Sequence, residues 1–160
     1  MNIAANTSGQ YLYNKRSTPV TFGAAASWQK VLAFELALEN GLVENDGTFA
    51  FVSSPAVRDK WQQAAKVATY PSFLWEQHDD PVFGSVNGRP ALSSTLVQNN
   101  TVLFGRWSDC VIAQWAAVDV LSNRYTYATT AEVEITANAL VDIQFKYALS
   151  FCASNDSGAQ

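Results

Sequence analysis

Charged side chains are scarce in this sequence. Asp, Glu, Lys and Arg make up 15% of its 160 residues, against roughly 25% in typical soluble domains. The ten Lys and Arg residues are scattered, with Lys15-Arg16 as the only adjacent pair, and the formal net charge is -4. Because a nucleic-acid surface needs clustered basic side chains, we predict no specific nucleic-acid site. The low charge also leaves apolar surface to cover, which favours contact with other subunits.

Cysteine, histidine and catalytic motifs are also few. The two cysteines, Cys110 and Cys152, cannot form a secreted disulfide framework, and both fall in predicted strands, where we expect buried, reduced thiols. The single histidine, His78, lies beside Asp79 and Asp80 but lacks the three or four ligands of a metal site, which favours an exposed loop. No nucleophile elbow or phosphate-binding glycine loop is present. We therefore predict no catalytic, metal-binding or cofactor-binding residues.

Long hydrophobic runs are absent as well. No stretch approaches the ~20 apolar residues of a membrane helix, and the N-terminus has no signal-peptide pattern. These absences predict a soluble protein, made in the cytoplasm, with no membrane partner. At 160 residues the chain is one domain of common size with a real core.

The most regular pattern lies near the C-terminus. Between residues 131 and 149 the odd positions are apolar, and the even positions are mostly polar. Alternation of this kind predicts a strand with one face in a core and the other, including Asp142, in water or at a partner. The run is too long for an ordinary strand, so we expect it to bend or to pass between subdomains. The apolar positions are Val133, Ile135, Ala137, Ala139, Val141, Ile143, Phe145, Tyr147 and Leu149.

Two helices and several shorter strands are predicted before this run. The first helix runs from Ser27 to about Asn40, is apolar around most of its circumference, and should therefore be buried on more than one side, with Gly41 ending it in the left-handed conformation. Ser54 and Pro55 start a second helix whose apolar stripe extends to Ala68. Strands are expected at residues 48–52, 91–94, 101–104, 110–115 and 118–122.

Several segments, in order, resemble the C-terminal half of the major capsid proteins of tailed bacteriophages. Phe49-Ala50-Phe51-Val52-Ser53-Ser54-Pro55-Ala56 is similar to the family's strand, Pro-Ala and helix, and Val86-Asn87-Gly88-Arg89-Pro90 resembles its "VNGYPV" turn. Most specifically, Leu103-Phe104-Gly105-Arg106-Trp107-Ser108-Asp109-Cys110-Val111-Ile112-Ala113-Gln114-Trp115 resembles "LLFGDWSQLVIGQWGG", and Val118-Asp119-Val120-Leu121 with Tyr125-Thr126 resembles "LDILVDPYT". The similarity covers roughly residues 20 to 151.

The resemblance implies an α+β fold with a mixed or antiparallel sheet, two main helices and a long C-terminal strand. It implies a linker or tail at residues 1–20, an axial domain at 21–137, a strand returning to the peripheral domain at 138–153, and a disordered tail at 154–160. A loop near the capsomer axis would contact neighbouring subunits. The residues of this possible interface loop are Glu76, Gln77, Asp79, Asp80, Val82, Phe83 and Gly84.

The chain is shorter than the family's full subunits. The N-terminal arm, the extended loop and the long peripheral helix all precede the matched region, so we expect a C-terminal piece or the product of a shortened prophage gene. The family's Gly-Gly is Ala116-Ala117 here, and no cross-linking residue is assigned.

The leading hypothesis is a structural subunit of a viral or prophage capsid, made in the bacterial cytoplasm and self-associating into pentamers and hexamers of an icosahedral head. The first alternative is the shell of an encapsulin-like nanocompartment. A second, from a different class, is a hydrolase using Glu35, Glu39, Asp79 or Asp80, which would require two carboxyl groups facing each other across a cleft. A third is a general binding module, which would show an exposed apolar groove.

Overall fold

The computed structural model describes residues 18–157 except 24, 68, 81, 124 and 128. The predicted linker therefore lies, up to residue 17, outside the described residues, as do residues 158–160 of the predicted tail. The chain forms two compact units. Unit 1 comprises the residues up to Asp109 together with those from Tyr147 onward, and unit 2 is Cys110–Lys146.

Unit 1 contains two helices and nine strands among its described residues, with strand labels numbered along the whole chain. The elements are β1 (Thr18–Pro19), α1 (Trp28–Asn40), β2 (Phe49–Ser53), α2 (Pro55–Gln63), β3 (Ala65–Val67), β4 (Tyr70–Phe73), β5 (Glu76–Gln77), β6 (Phe83–Val86), β7 (Arg89–Ser93), β8 (Val102–Arg106) and β13 (Phe151–Ser154).

Seven of these strands form a mixed sheet in the order β1-β13-β8-β2-β7-β6-β5. The β1–β13 and β2–β7 pairs are parallel, and the other pairs of this sheet are antiparallel. A separate antiparallel pair joins β3 and β4. The α+β class and the mixed sheet with two helices are confirmed.

Helix α1 packs through a single stripe. Val31, Phe34 and Leu38 are buried, whereas Leu32 and Leu36 are 39% and 56% exposed. The prediction that this helix is buried on more than one side is therefore wrong. Its leucines at positions 32 and 36 leave an apolar strip on the surface of unit 1.

The end of α1 also differs from the prediction. Gly41 has an ordinary φ of -79°, and the left-handed conformation falls on Leu42, with a φ of 55°. The backbone N–H groups of Leu42 and Val43 donate to the carbonyls of Glu39 and Leu38 at 2.9 and 3.1 Å. This is the pattern of a Schellman motif with Gly41 as the C-cap. The residue in the left-handed conformation is therefore Leu42, one position later than expected.

Helix α2 starts as predicted and ends early. Ser54 has the extended N-cap backbone and Pro55 is the first helical residue, although the Ser54 side chain makes no capping hydrogen bond. The helix ends at Gln63, because Ala64 is extended and residues 65–67 form β3. The predicted continuation of the helical stripe to Ala68 is therefore wrong. Val57 and Trp61 are the helical residues that reach the core.

Aromatic rings form the centre of the unit 1 core. Phe51 on β2 stacks on Phe104 on β8 with ring centroids 4.1 Å apart, and it meets the edges of Phe34 and Trp61 at 5.8 and 6.2 Å. Phe51, Phe104, Phe34 and Trp61 are all fully buried. The two main helices are thus fixed to the same pair of central strands.

The C-terminal segment is ordered further than predicted. Ser154 belongs to β13, and the Asp156 carboxylate accepts hydrogen bonds from the backbone N–H groups of Phe22 and Gly23, both at 2.9 Å, and from the Ser154 hydroxyl at 2.7 Å. Burial opposes ionisation of Asp156, but these donors outweigh it, so its pKa lies below the ordinary value. The prediction of a disordered tail is wrong for residues 154–157, since Ser157 is also buried.

Unit 2 consists of two antiparallel strand pairs. β9 (Cys110–Gln114) pairs with β12 (Val141–Phe145), and β10 (Asp119–Asn123) pairs with β11 (Glu134–Asn138). The predicted uninterrupted strand is therefore divided at Ala139 and Leu140, and again by a 3-10 turn at Ala148–Ser150. Its segments are extended but pair with different partners. The expectation that it passes from one subdomain to another agrees with the unit boundary after Lys146.

The predicted turn before β2 is held by one carboxylate. Asp46 accepts hydrogen bonds from the Thr48 backbone N–H at 3.0 Å, from the Thr48 hydroxyl at 2.6 Å and from the Ser108 hydroxyl at 2.5 Å. The bonds from Ser108 and Thr48 lower the pKa of Asp46 from 3.8 to about 2. Asp46 therefore connects this turn to the residues that follow β8.

This lowered pKa predicts an acid sensitivity at Asp46. A carboxyl group with a lower pKa in the folded state stabilises the fold fully above its unfolded pKa, and that contribution is lost as pH falls from about 4 to about 2. We expect the melting temperature of Asp46→Asn to depend less steeply on pH in that window than that of the unsubstituted protein. Ser108→Ala, which removes the strongest donor, should give an intermediate slope. Equal slopes in thermal melts of all three proteins would contradict this assignment.

Candidate self-association surfaces

The predicted interface loop lies at the edge of the unit 1 sheet. β5 and β6 form an antiparallel hairpin in which Glu76 pairs with Ser85 and Gln77 with Gly84. β5 is the last strand of the sheet on this side. Edge strands offer unpaired backbone groups to other chains.

Polar contacts fix the shape of this hairpin. The Glu76 carboxylate forms a salt bridge with Lys66 at 2.5 Å, which lowers the pKa of Glu76 against the opposing effect of partial burial. Gln77 accepts a hydrogen bond from the Gln62 amide at 3.1 Å, and the Asp80 carboxylate accepts one from the Val82 backbone N–H at 2.9 Å. Asp79 and His78 are exposed, as the exposed-loop interpretation of the histidine requires.

The apolar residues of the hairpin divide into exposed and buried positions. Val82 and Phe83 are 38% and 52% exposed, and they would be available to a neighbouring subunit. Gly84 is buried instead: a Cβ at this position would lie 2.2 Å from Nε1 of Trp75. Its role in this structure is close packing against that indole.

The four acidic residues of the hydrolase alternative lie on two different elements, Glu35 and Glu39 on α1 and Asp79 and Asp80 in the turn between β5 and β6. The Glu35 carboxylate accepts hydrogen bonds from the Asn87 amide at 2.9 Å and from Arg89 Nε at 3.5 Å, which agrees with a salt-bridged helix surface. Glu39 is exposed on the same helix. Among the described residues, no group of three or more His, Cys, Asp or Glu side chains is placed to hold a metal ion.

An open groove of about 450 Å³ runs beside α1. Its walls include Ala33, Leu36, Ala37 and Leu149, and Lys30 is its one charged lining residue. Because no carboxylate lines it, the groove offers no acid pair for the alternative hydrolase reaction.

Each of the two strand pairs of unit 2 has one mostly apolar side. Cross-strand partners in a ladder point to the same face, so the pairs Ile112–Ile143, Cys110–Phe145 and Val120–Ala137 belong to one side of their ribbons. We refer to these two sides together as the apolar ribbon face. Its apolar residues are Cys110, Ile112, Val141, Ile143 and Phe145 on the β9–β12 pair, beside Gln114, and Val120, Ile135 and Ala137 on the β10–β11 pair, beside Ser122.

The apolar ribbon face is exposed rather than buried. The exposed fraction of the side chain is 68% for Ile112, 70% for Ile135 and 60% for Val120. No described residue of unit 2 is buried. The prediction that the apolar side of the alternating strand lies in a core is therefore wrong within this chain. Two-stranded ribbons are marginally stable in water unless another surface covers them, so this face has the properties of an interface.

The opposite sides of the two ribbons are more polar. Asp142 and Gln144 share one of them with Ala113 and Val111, and Glu134 pairs with Asn123 on the other, next to Leu121 and Thr136. Asp142 accepts hydrogen bonds from the Ile143 backbone N–H at 2.9 Å and from the Gln144 amide at 3.2 Å. Its predicted place on the polar face is confirmed. Among the residues of the four strands, no charged side chain lies on the apolar ribbon face.

Some of the most connected polar residues were not singled out in the sequence. The Asp109 carboxylate is 4% exposed and accepts hydrogen bonds from Arg106 and Ser150. The Arg106–Asp109 spacing of three residues is a signal of a local ion pair, but the partner at position 150 comes from a distant part of the chain. Cys152 is buried as predicted, and burial raises its pKa, whereas Cys110 is partly exposed.

No helix among the described residues is long and apolar enough to cross a membrane. No family model and no curated protein sequence matches the chain. Solved structures do match. The capsid of an empty GTA particle aligns with a TM-score of 0.66 and 16% identity, covering 91% of this chain and 55% of that chain.

Two further structures align in the same way. That of Mycobacterium phage Che8 has a TM-score of 0.65 and 12% identity and covers 92% of this chain and 56% of the other. The virus-like particle from Pyrococcus furiosus has a TM-score of 0.55 and 10% identity and covers 88% and 57%. The chain thus spans a little over half the length of the structures that it matches.

Proposed function

We propose that this chain, which has the fold of tailed-phage capsid proteins, is a structural subunit of a phage or prophage capsid shell and works by associating with other copies. The observation that carries the proposal is the exposed apolar ribbon face, on a chain with this fold. Burying apolar surface between subunits supplies a favourable free energy without any catalytic group. Such a subunit would be made in the bacterial cytoplasm and reside in the virion capsid.

The division of the chain into two units supports a domain assignment for such a subunit. We assign unit 1 to the axial domain and Cys110–Lys146 to the peripheral part of the subunit, because the chain divides after Asp109 and before Tyr147. This places the boundary earlier than the sequence-based division between residues 137 and 138. The exposed residues of the β5–β6 hairpin, Val82 and Phe83, would then contact neighbouring axial domains.

Association should depend on the apolar ribbon face. In Ile112→Ser combined with Ile143→Ser, two large side chains on this face become polar, which removes apolar area that contact would bury. We expect self-association, measured by light scattering coupled to size exclusion over a concentration series, to weaken by about tenfold or more. Negative-stain microscopy should show rings or tubes of the unsubstituted protein at high concentration and few of the variant.

The matched control is Val111→Ser on the polar side of the same strand, where the exposed fraction is 42%. It should associate like the unsubstituted protein. A chain that stays monomeric at all concentrations would contradict the proposed function. If Val111→Ser weakened self-association as much as the Ile112→Ser and Ile143→Ser double variant does, the assignment of association to the apolar ribbon face would be contradicted.

A further inference from the structure

The sequence contains two Asn-Gly dipeptides, Asn40-Gly41 and Asn87-Gly88. An asparagine followed by glycine is open to deamidation, because glycine has no side chain to keep its backbone nitrogen away from the carbon of the asparagine amide. This reaction turns a neutral side chain into a carboxylate without any enzyme. The two dipeptides lie in different surroundings in unit 1, so we expect them to react at different rates.

The Asn40-Gly41 dipeptide is held by the end of helix α1. Asn40 is the last helical residue, and the backbone N–H of Gly41 donates to the Ala37 carbonyl at 3.3 Å. The space beside Gly41 is also filled, since two atoms of Leu149 lie 3.4 Å from its Cβ position. The nitrogen that would have to attack Asn40 is therefore engaged in a hydrogen bond and enclosed by neighbouring atoms.

The Asn87-Gly88 dipeptide is the two-residue turn between β6 and β7. Val86 and Arg89 form the last pair of the ladder, and a turn of this kind closes through hydrogen bonding of these flanking residues. The N–H of Gly88 thus lies outside the ladder. Gly88 is exposed, and no atom beyond its chain neighbours lies within 4 Å of its Cβ position. Water therefore has access to this nitrogen and to the adjacent amide.

A contact with helix α1 restrains the Asn87 side chain. Nδ2 of Asn87 donates to Oε2 of Glu35 at 2.9 Å, and Nε of Arg89 donates to Oε1 of the same carboxylate at 3.5 Å. Deamidation requires the Asn87 amide to rotate towards the Gly88 nitrogen and to release Nδ2. Both changes break the hydrogen bond to Glu35, and hydrogen bonds to charged groups are among the stronger ones in proteins.

We propose that Asn87 is a deamidation site of this chain and that Glu35 sets the rate by holding the Asn87 amide. The Gly88 nitrogen forms a bond to Cγ of Asn87, and the bond between Cγ and Nδ2 breaks. The proton of the Gly88 N–H passes through solvent to Nδ2, which leaves as ammonia. Water then opens the cyclic succinimide, its hydroxyl adding to a ring carbonyl carbon and its proton returning to the nitrogen, to give aspartate or isoaspartate at position 87.

The product would change the contact between α1 and the β6–β7 turn. A carboxylate at position 87 cannot donate to Glu35, because an ionised carboxyl group only accepts hydrogen bonds. Two negative charges would then face each other, and like charges repel. Arg89 would be shared between them. Glu35, Asn87 and Arg89 all belong to unit 1, so the chemistry is the same whatever the chain assembles into.

The test follows deamidation by peptide mapping with mass spectrometry, as a mass gain of about 1 Da. The folded chain is incubated in mildly alkaline buffer beside the same chain in denaturant, where both dipeptides should react at similar rates. In the folded chain, Asn87 should react faster than Asn40. Because Glu35→Ala removes a charged acceptor, we expect it to speed the reaction at Asn87 about tenfold.

Two further variants isolate the role of the hydrogen bond. Glu39→Ala removes an exposed carboxylate from the same helix and should leave the rate at Asn87 unchanged. Glu35→Gln keeps an acceptor oxygen without the charge and should give an intermediate rate. The proposal would be overturned if Asn87 stayed intact while the denatured chain reacted, or if Asn40 reacted as fast as Asn87. It would also fail if Glu35→Ala left Asn87 unaffected or accelerated both sites equally, since the second result would reflect general unfolding.

Discussion

Phe51→Ala should lower the free energy of unfolding by about 3–5 kcal/mol, the usual cost of removing a fully buried phenylalanine ring. Phe51 is 0% exposed and contacts Phe104, Phe34 and Trp61, which belong to β8 and to both main helices. Truncation would leave a cavity where β2, β8, α1 and α2 meet. The measurement is chemical denaturation followed by far-ultraviolet circular dichroism.

The matched control for this prediction is Phe83→Ala in the same unit. Phe83 is 52% exposed at the β5–β6 hairpin, so its truncation should cost less than about 1 kcal/mol. Similar losses for the two substitutions would show that the aromatic cluster is not the centre of the fold. A loss confined to Phe51→Ala would show that these four rings hold the sheet and both helices together.

Gly105→Ala should lower the free energy of unfolding by about 2–3 kcal/mol, the usual cost of forcing an extra methyl group into a closely packed site. A Cβ at position 105 would lie 2.4 Å from Cδ1 of Phe151 and 2.6 Å from the Ser150 carbonyl oxygen. Gly105 pairs with Phe151 on one side and with Ala50 on the other, so the strand cannot move aside without disturbing two ladders. The variant should unfold at lower denaturant concentration with an unchanged m-value.

Gly41→Ala is the control for this effect. Gly41 has a φ of -79°, and the nearest atom to a Cβ there is the Leu38 carbonyl oxygen at 3.2 Å. The slight crowding is opposed by the reduced entropy of the unfolded chain, so we expect a change within about 0.5 kcal/mol. A large loss in Gly41→Ala would mean that this position, rather than Leu42, carries the left-handed conformation.

Local sequence signals predicted the elements whose residues interact with near neighbours. The Ser54-Pro55 start of α2, the body of α1 and the Asn87-Gly88 turn were all read from short-range rules, and the turn has the two positive φ values of 53° and 69° expected there. The α+β fold itself followed from an ordered series of motifs rather than from any one of them. These features depend on residues close together in sequence.

One error is local. The left-handed residue at the end of α1 is Leu42, because the backbone closes a Schellman motif one position later than expected.

Other features are decided by distant residues. The Asp156 carboxylate in the tail is held by the backbone N–H groups of Phe22 and Gly23, near the other end of the described chain. The Asp109–Ser150 contact spans 41 positions. No local pattern predicts these pairs, because neither partner has a distinctive sequence environment.

The alternating segment correctly predicted extended strands with two unlike sides, but it did not predict that the apolar side is exposed. Its residues are extended, and Asp142 is on the polar side, but the apolar side is exposed in the described chain. Period-2 alternation states only that two sides of a strand differ in polarity. Whether the apolar side is covered by the same chain or by another molecule is not encoded in the alternation.

The lack of buried side chains among the described residues of unit 2 has consequences for how the gene can vary. Substitutions in the aromatic cluster of unit 1 would be rejected while each newly made chain folds. Those on the apolar ribbon face would pass that stage and be rejected only where this face contacts another surface. Amino-acid substitutions on the apolar ribbon face should therefore covary with substitutions on the surface that it contacts. The two units should also diverge in sequence at different rates between related genomes.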